Sequence, residues 1–131
     1  MTQAARALQT YRSTQAQTSS PLELVVMLYD GVLKFLADAE RAFAGGDIKA
    51  RAHAISRAMA IVDELRNTLD LQNGGAVAEE LDRLYDFVGE RLFAATRDRD
   101  AGPVGEARRV LSSLADAWRT LAAAGGKEAA S

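Results

Sequence analysis

Three short clusters of helix-breaking residues constrain this chain more than any other feature in it. Gly45-Gly46-Asp47, Asn73-Gly74-Gly75 and Gly102-Pro103 interrupt a sequence that otherwise reads as helix. Glycine accepts the left-handed conformation that ends a helix, and aspartate caps the next one. Proline is tolerated in a first turn, where its missing N–H has no intrahelical partner. The segments between these clusters are roughly 20 residues long, and connections this short force each helix antiparallel to its predecessor. The pattern predicts an all-α, antiparallel, up-down-up-down four-helix bundle.

Ser20, Pro21 and Glu23 form a capping box with proline at the first helical position. The helices are expected at 21–44, 48–71, 76–98 and 103–123. Their apolar stripes follow three- and four-residue steps. On the second helix these are Ile48, Ala52, Ile55, Met59, Val62 and Leu69; on the third, Val77, Leu81, Leu84, Val88, Leu92 and Ala95. The fourth carries Val104, Ala107, Leu111, Leu114, Trp118 and Leu121. Residues 1–20, rich in Gln, Ser and Thr after Thr10, read as a mobile N-terminal segment with a short helix near Gln3 to Tyr11. Residues 125–131 read as a disordered tail.

The first helix departs from the usual surface pattern. At about 100° per residue, Glu23, Asp30, Lys34, Asp38 and Arg41 fall within one arc of about 80°. Leu24 to Tyr29 are six consecutive apolar residues, followed by Val32, Leu33, Phe35, Leu36, Ala39 and Phe43. A bundle helix needs an apolar stripe of about 100° or somewhat more, so a large part of this surface is surplus and something must cover it. Three covers are open: the N-terminal segment through Leu8 and Tyr11, a second copy of the chain, or an amphipathic helix from another protein.

Composition narrows the chemistry. Acids and bases are interleaved at a formal net charge of −2, which argues against a nucleic-acid surface. With no cysteine, thiolate catalysis and cysteine-ligated zinc are excluded. No run approaches the roughly 18 apolar residues of a membrane span and residues 1–20 hold no signal-like apolar stretch, so the expected location is the cytoplasm. The single histidine, His53, lies one turn from Lys49 and from Arg57, on a face expected to be solvated. A carboxylate di-metal bundle needs a Glu-x-x-His motif on each of two helices, and here Ala50 stands three residues before His53. The neighbouring acids Asp63-Glu64 and Glu79-Glu80 point about 100° apart and do not converge. No catalytic, cofactor or metal residue is expected, and the chain reads as a non-enzyme.

Three stretches together resemble the flagellin-specific export chaperones of the FliS family. One is Tyr11 and Ser20-Pro21 leading into ELVVMLYDG, Glu23 to Gly31; another is LDLQNGG, Leu69 to Gly75, followed by LYDF, Leu84 to Phe87; the third is LADAW, Leu114 to Trp118. The resemblance spans roughly Tyr11 to Leu121 in order and with similar spacing. It implies a cytosolic bundle that binds the C-terminal segment of flagellin, prevents premature polymerisation and delivers the subunit to a component of the flagellar export gate. Tyr11 matches the aromatic of the family's mobile N-terminal segment, and Tyr29, Asp30 and Gly31 match its first-helix motif. Joined to the apolar pattern, the resemblance gives Leu8, Tyr11, Val25, Leu28, Tyr29, Val32, Leu71, Val77 and Tyr85 as the candidate flagellin contacts. The rival expectation is a bundle that self-associates, as a homodimer through the first helix, without chaperone activity.

Overall fold

The computed structural model describes the backbone of residues 21–130 and the side chains of residues 21–125. Four helices run α1 (Pro21–Ala44), α2 (Ile48–Asn67), α3 (Gly75–Asp98) and α4 (Gly102–Ala130). Helix α1 packs on α2 and α4, and α3 packs on the same two, so the four sit at the corners of a square with α1 and α3 on a diagonal. Alternating direction puts the α1–α2 and α3–α4 connections at one end, called upper here. The start of α1, the α2–α3 junction and the end of α4 share the lower end.

Each upper connection is closed by backbone hydrogen bonding. After α1, the Asp47 N–H donates to the Ala42 carbonyl at 2.9 Å and the Gly46 N–H to Phe43 at 3.2 Å, the paired pattern that satisfies a helix's last carbonyls. The Asp47 carboxylate then accepts from the Ala50 N–H at 3.0 Å and caps α2. After α3, the Asp100 N–H donates to the Ala95 carbonyl at 3.1 Å.

The core takes one stripe from each helix: Tyr29, Val32, Leu36 and Ala39 from α1, with Ala54, Ile55, Ala58, Val62 and Leu65 from α2. Helix α3 adds Leu81, Tyr85, Val88, Leu92 and Ala95, and α4 adds Val104, Ala107, Leu111 and Ala115. Full burial of a leucine such as Leu36 or Leu111 contributes about 1.5–3 kcal/mol. No buried charged residue appears among the described residues.

The structure corrects parts of the expected stripes. Ile48 and Ala52 are exposed on α2, because alanines at 50, 52, 54, 58 and 60 ring this helix and leave its apolar period weakly phased. On α3, Ala78 rather than Val77 enters the core, and Leu121 lies outside it on α4. Helix α2 stops at Asn67, four residues before the expected Leu71. Asp70 is the cause: its carboxylate accepts from the backbone N–H of Gln72 and Asn73 at 3.2 and 3.1 Å and from the Asn73 side chain at 3.0 Å. Such side-chain bonds offer the backbone an alternative to the helix. At the other extreme, α4 continues through Gly125 to Ala130, where a disordered tail was expected.

Candidate partner-binding surface

The lower end is built around the α2–α3 junction, and both glycines there are required. A Cβ on Gly74 would sit 2.5 Å from the Asp70 carbonyl oxygen, and Gly75 has a φ of +60° that side chains rarely adopt. The same turn that packs half-buried Leu69 against the core throws Leu71 outward, leaving it 52% exposed. The Asn73 donors, foremost, hold the Asp70 carboxyl below its ordinary range.

Two ion-pair sets show which way α3 and α4 face. Arg66 of α2 donates to Asp82 at 2.6 Å and to Asp86 at 3.2 Å, so these two acids mark the α2 side of α3. Leu84 is two residues from each, about 200° around the helix, and Val77 lies one heptad before it on nearly the same line. Arg108 and Arg119 of α4 reach Glu40 and Asp30 of α1, both at 2.5 Å. Val110 and Leu121 each stand two residues beyond those arginines, again about 200° away and thus on the α3 side.

An apolar seam therefore runs along the outside of the α3–α4 pair, from Val77, Leu84 and Phe87 on one helix to Val110, Leu114 and Leu121 on the other. Val77 is 69% exposed, Leu121 53% and Phe87 39%. Leu71 and the start of α1 share the lower end of the bundle, and there Leu24 to Leu28 are all half-buried and none is fully buried. Residues 1–20 join the bundle at Pro21, at this same end.

The nine candidate contacts separate into four groups. Leu71 and Val77 are exposed, and Val25 and Leu28 are half-buried at the open start of α1. Tyr29, Val32 and Tyr85 are corrected to core positions, at 0%, 0% and 3% exposure. Leu8 and Tyr11 lie outside the described residues. Sequence reasoning missed Phe87 and assigned the exposed Leu121 to the core stripe, whereas Leu114, assigned there too, is half-buried and does pack against the core. The signal for the seam was available in the spacing of Asp82, Asp86, Arg108 and Arg119, whose partners could not be assigned without the fold.

Tyr29 and Tyr85 join the diagonal of the square. Their hydroxyl oxygens are 2.5 Å apart, and the Tyr29 ring lies 6.4 Å from that of Trp118 on α4. Burial pushes both phenols above their ordinary value of 10.0. Contacts with Tyr85 and Trp118 partly hold Tyr29 back, whereas the contact with Tyr29 pushes Tyr85 further up. This hydroxyl pair gives a polar lock inside an otherwise apolar core.

A second concavity, about 480 Å³, opens between α2 and α3 beside Met59, Arg66, Asp86, Phe93 and Arg97. Arg66 is held by Asp82 and Asp86, and Arg97 by Asp98 at 2.9 Å. It contains no nucleophile and base placed to act together. Among the described residues no group of three or more His, Asp or Glu is placed to hold a metal, and no helix is long and apolar enough to cross a membrane.

The family described as flagellar protein FliS matches residues 4–125. The flagellar secretion chaperone FliS of Campylobacter jejuni is 38% identical over 111 residues, covering 85% of this chain and 87% of that protein. That of Salmonella typhimurium is 36% identical over 105 residues, covering 79% and 78%. A solved structure described as a flagellar chaperone from bacteria superposes with a TM-score of 0.72 over 89% of this chain and 95% of that one, at 19% identity, and so supports the bundle fold. With the match extending over nearly the whole bundle, the chain belongs to the FliS family of flagellar proteins.

Proposed function

We propose that this bundle is a flagellar secretion chaperone that binds the C-terminal segment of flagellin on its apolar lower end and α3–α4 seam. The observation that carries the reading is the gathering of Leu71, Val77 and Leu121 at one end of the bundle, all more than half exposed. An amphipathic helix laid along such a seam buries its own apolar face. Flagellin segments that would otherwise pair with one another lose the surface that drives polymerisation. Ordering the tail costs part of the gross binding energy, so affinity is moderate for the area covered. No energy source is needed, and the chaperone then delivers the subunit to the export gate in the cytoplasm.

Leu8 and Tyr11 belong to the same reading. Only nine residues separate Tyr11 from Pro21, a reach of up to about 30 Å. In this proposal the segment covers the apolar end until flagellin displaces it.

Titration calorimetry of the full chain with the C-terminal segment of the host's flagellin tests the proposal. Saturable one-to-one binding, weakened at least tenfold by Val77→Asp together with Leu121→Asp, is the expected result. A stable dimer in sedimentation that ignores the flagellin segment would establish the self-associating alternative instead.

A further inference from the structure

The upper half of the α1–α2 face carries a charge pattern that the bundle itself does not use. Helix α2 opens with Lys49, Arg51, His53 and Arg57, and its next acid is Asp63. Its first turn holds no acidic residue, although negative charge is what a helix N-terminus favours. Lys49 and Arg57 share one face of the helix, with His53 between them at four-residue steps. Arg41, Arg66, Arg83, Arg97, Arg108 and Arg119 all sit in ion pairs. None of the described ion pairs includes Lys49, Arg51 or Arg57; Lys34, Arg91, Arg99 and Arg109 are in none either, but only Lys49, Arg51 and Arg57 cluster within one half of a helix.

Apolar surface accompanies these cations. An open cleft of about 620 Å³ lies between α1 and α2, with Phe35, Ala50 and Ala54 in its lining and Lys49 and His53 beside them. Lys34 sits over the Phe35 ring at 5.9 Å, and Arg51 over Phe43 at 4.8 Å. Ile48, which stands between Asp47 and Lys49 of the lining in sequence, is 66% exposed. Two acids also line it, and both are engaged: Asp38 pairs with Arg41, and Asp47 caps α2 through the Ala50 N–H.

We propose that this face docks an acidic, apolar-anchored segment of a second protein, at a site separate from the α3–α4 seam. The unpaired cation row supplies the charge complementarity and the aromatic-lined cleft takes the anchor, a combination that gives both rapid encounter and a defined register. A protein segment fits better than nucleic acid. The basic row is short, and α2 turns acidic at Asp63 and Glu64, which would repel a longer run of phosphates. The location, on α1 and α2 at the upper end, leaves the α3–α4 seam uncovered, so both partners can be held at once.

The test uses the full chain and a fluorescein-labelled synthetic peptide of Asp and Glu residues with two phenylalanines, followed by anisotropy. Expected is saturable binding that weakens with added salt and falls at least tenfold in Lys49→Glu/Arg57→Glu. Val77→Asp and Arg109→Glu, on other faces, leave it unchanged. Thermal melts of the double variant separate docking from folding: acids replacing cations in the first half of α2 relieve the unfavourable dipole contact, so its melting temperature equals or exceeds that of the parent. Any of three results overturns the proposal. These are no binding by the parent, equal loss on Arg109→Glu, or a poly(U) oligonucleotide binding more tightly than the peptide with the same dependence on Lys49 and Arg57.

Discussion

Helix α1 lies in two environments, and the boundary falls at Tyr29. From Tyr29 to Ala42 it places five residues in the core, and the helix as a whole packs on α2 and α4. From Leu22 to Leu28 it is just as apolar in sequence, yet not one residue is fully buried. The upper half therefore spends its apolar surface on stability, and the lower half holds surface in reserve. The division belongs to α1 and does not extend to the whole surface: Leu71, Val77 and Leu121 are exposed at the lower end, and Ile48 and Phe93 at the upper.

Truncating one leucine in each half of α1 should separate the two environments most clearly. Leu36→Ala removes a side chain at 0% exposure and leaves a cavity, so it is expected to cost about 3 kcal/mol, within the roughly 2–5 seen for such changes. Leu24→Ala in the half-buried stretch should cost less than about 1 kcal/mol. Urea denaturation of both variants measures the difference. Equal losses would mean that the lower half is as tightly packed as the upper.

Next comes the Tyr29–Tyr85 pair at the boundary. Tyr85→Phe takes the Tyr85 hydroxyl from the buried Tyr29 hydroxyl, leaving it the Trp118 contact alone, and is expected to cost about 1–3 kcal/mol. Tyr29→Phe/Tyr85→Phe removes both hydroxyls and should recover much of that loss, a non-additivity that a double-mutant cycle reads directly. The pair also makes stability depend on alkaline pH. Both folded pKa values lie above the ordinary 10.0, so the folded state holds protons that the unfolded state releases. Stability is fully present below about pH 10 and falls as pH rises above it. The doubly substituted variant should show a shallower fall in chemical melts taken above pH 10.

Much of this division was legible in the sequence, and the rest was hidden for identifiable reasons. The turn clusters imply the antiparallel bundle because glycine, asparagine and proline act through local backbone geometry. The surplus apolar surface of α1 is equally visible as six apolar residues in succession. Burial of Tyr29, Val32 and Tyr85 was not legible, because a residue's place around a helix says that it is on an apolar face and not whether that face meets a neighbour. Only the fold brings Tyr85 of α3 across the diagonal to Tyr29. The early end of α2 was missed because Asp70 acts through three hydrogen bonds to residues beyond it, a turn that the apolar period does not reveal.

Exposed side chains of the lower end should affect binding more than stability. Val77→Asp and Leu121→Asp each place a charge on side chains that are 69% and 53% exposed, so each should change stability by no more than about 0.5 kcal/mol. Both should nevertheless weaken flagellin-segment binding by about tenfold, or about 1.4 kcal/mol. Leu28→Asp is the informative intermediate, since Leu28 is half-buried against the core. It should lower both helicity at elevated temperature and affinity, and circular dichroism with calorimetry on the same samples separates the two. Binding that survives all three substitutions would place the flagellin site elsewhere.

The smallest effect lies in the upper end, in its two helix closures. Each ends with a left-handed residue, but α1 uses Gly46 at φ +69° while α3 uses Arg99 at φ +53°. A residue with a Cβ pays about 1–2 kcal/mol in that conformation, partly offset because glycine has more freedom to lose on folding. Arg99→Gly should therefore raise stability by about 0.5–1 kcal/mol and leave flagellin-segment affinity untouched, as measured by chemical denaturation and calorimetry. A matching gain in affinity would show that tightening the upper end is transmitted to the lower one, and the two halves would then have to be treated as a single cooperative surface.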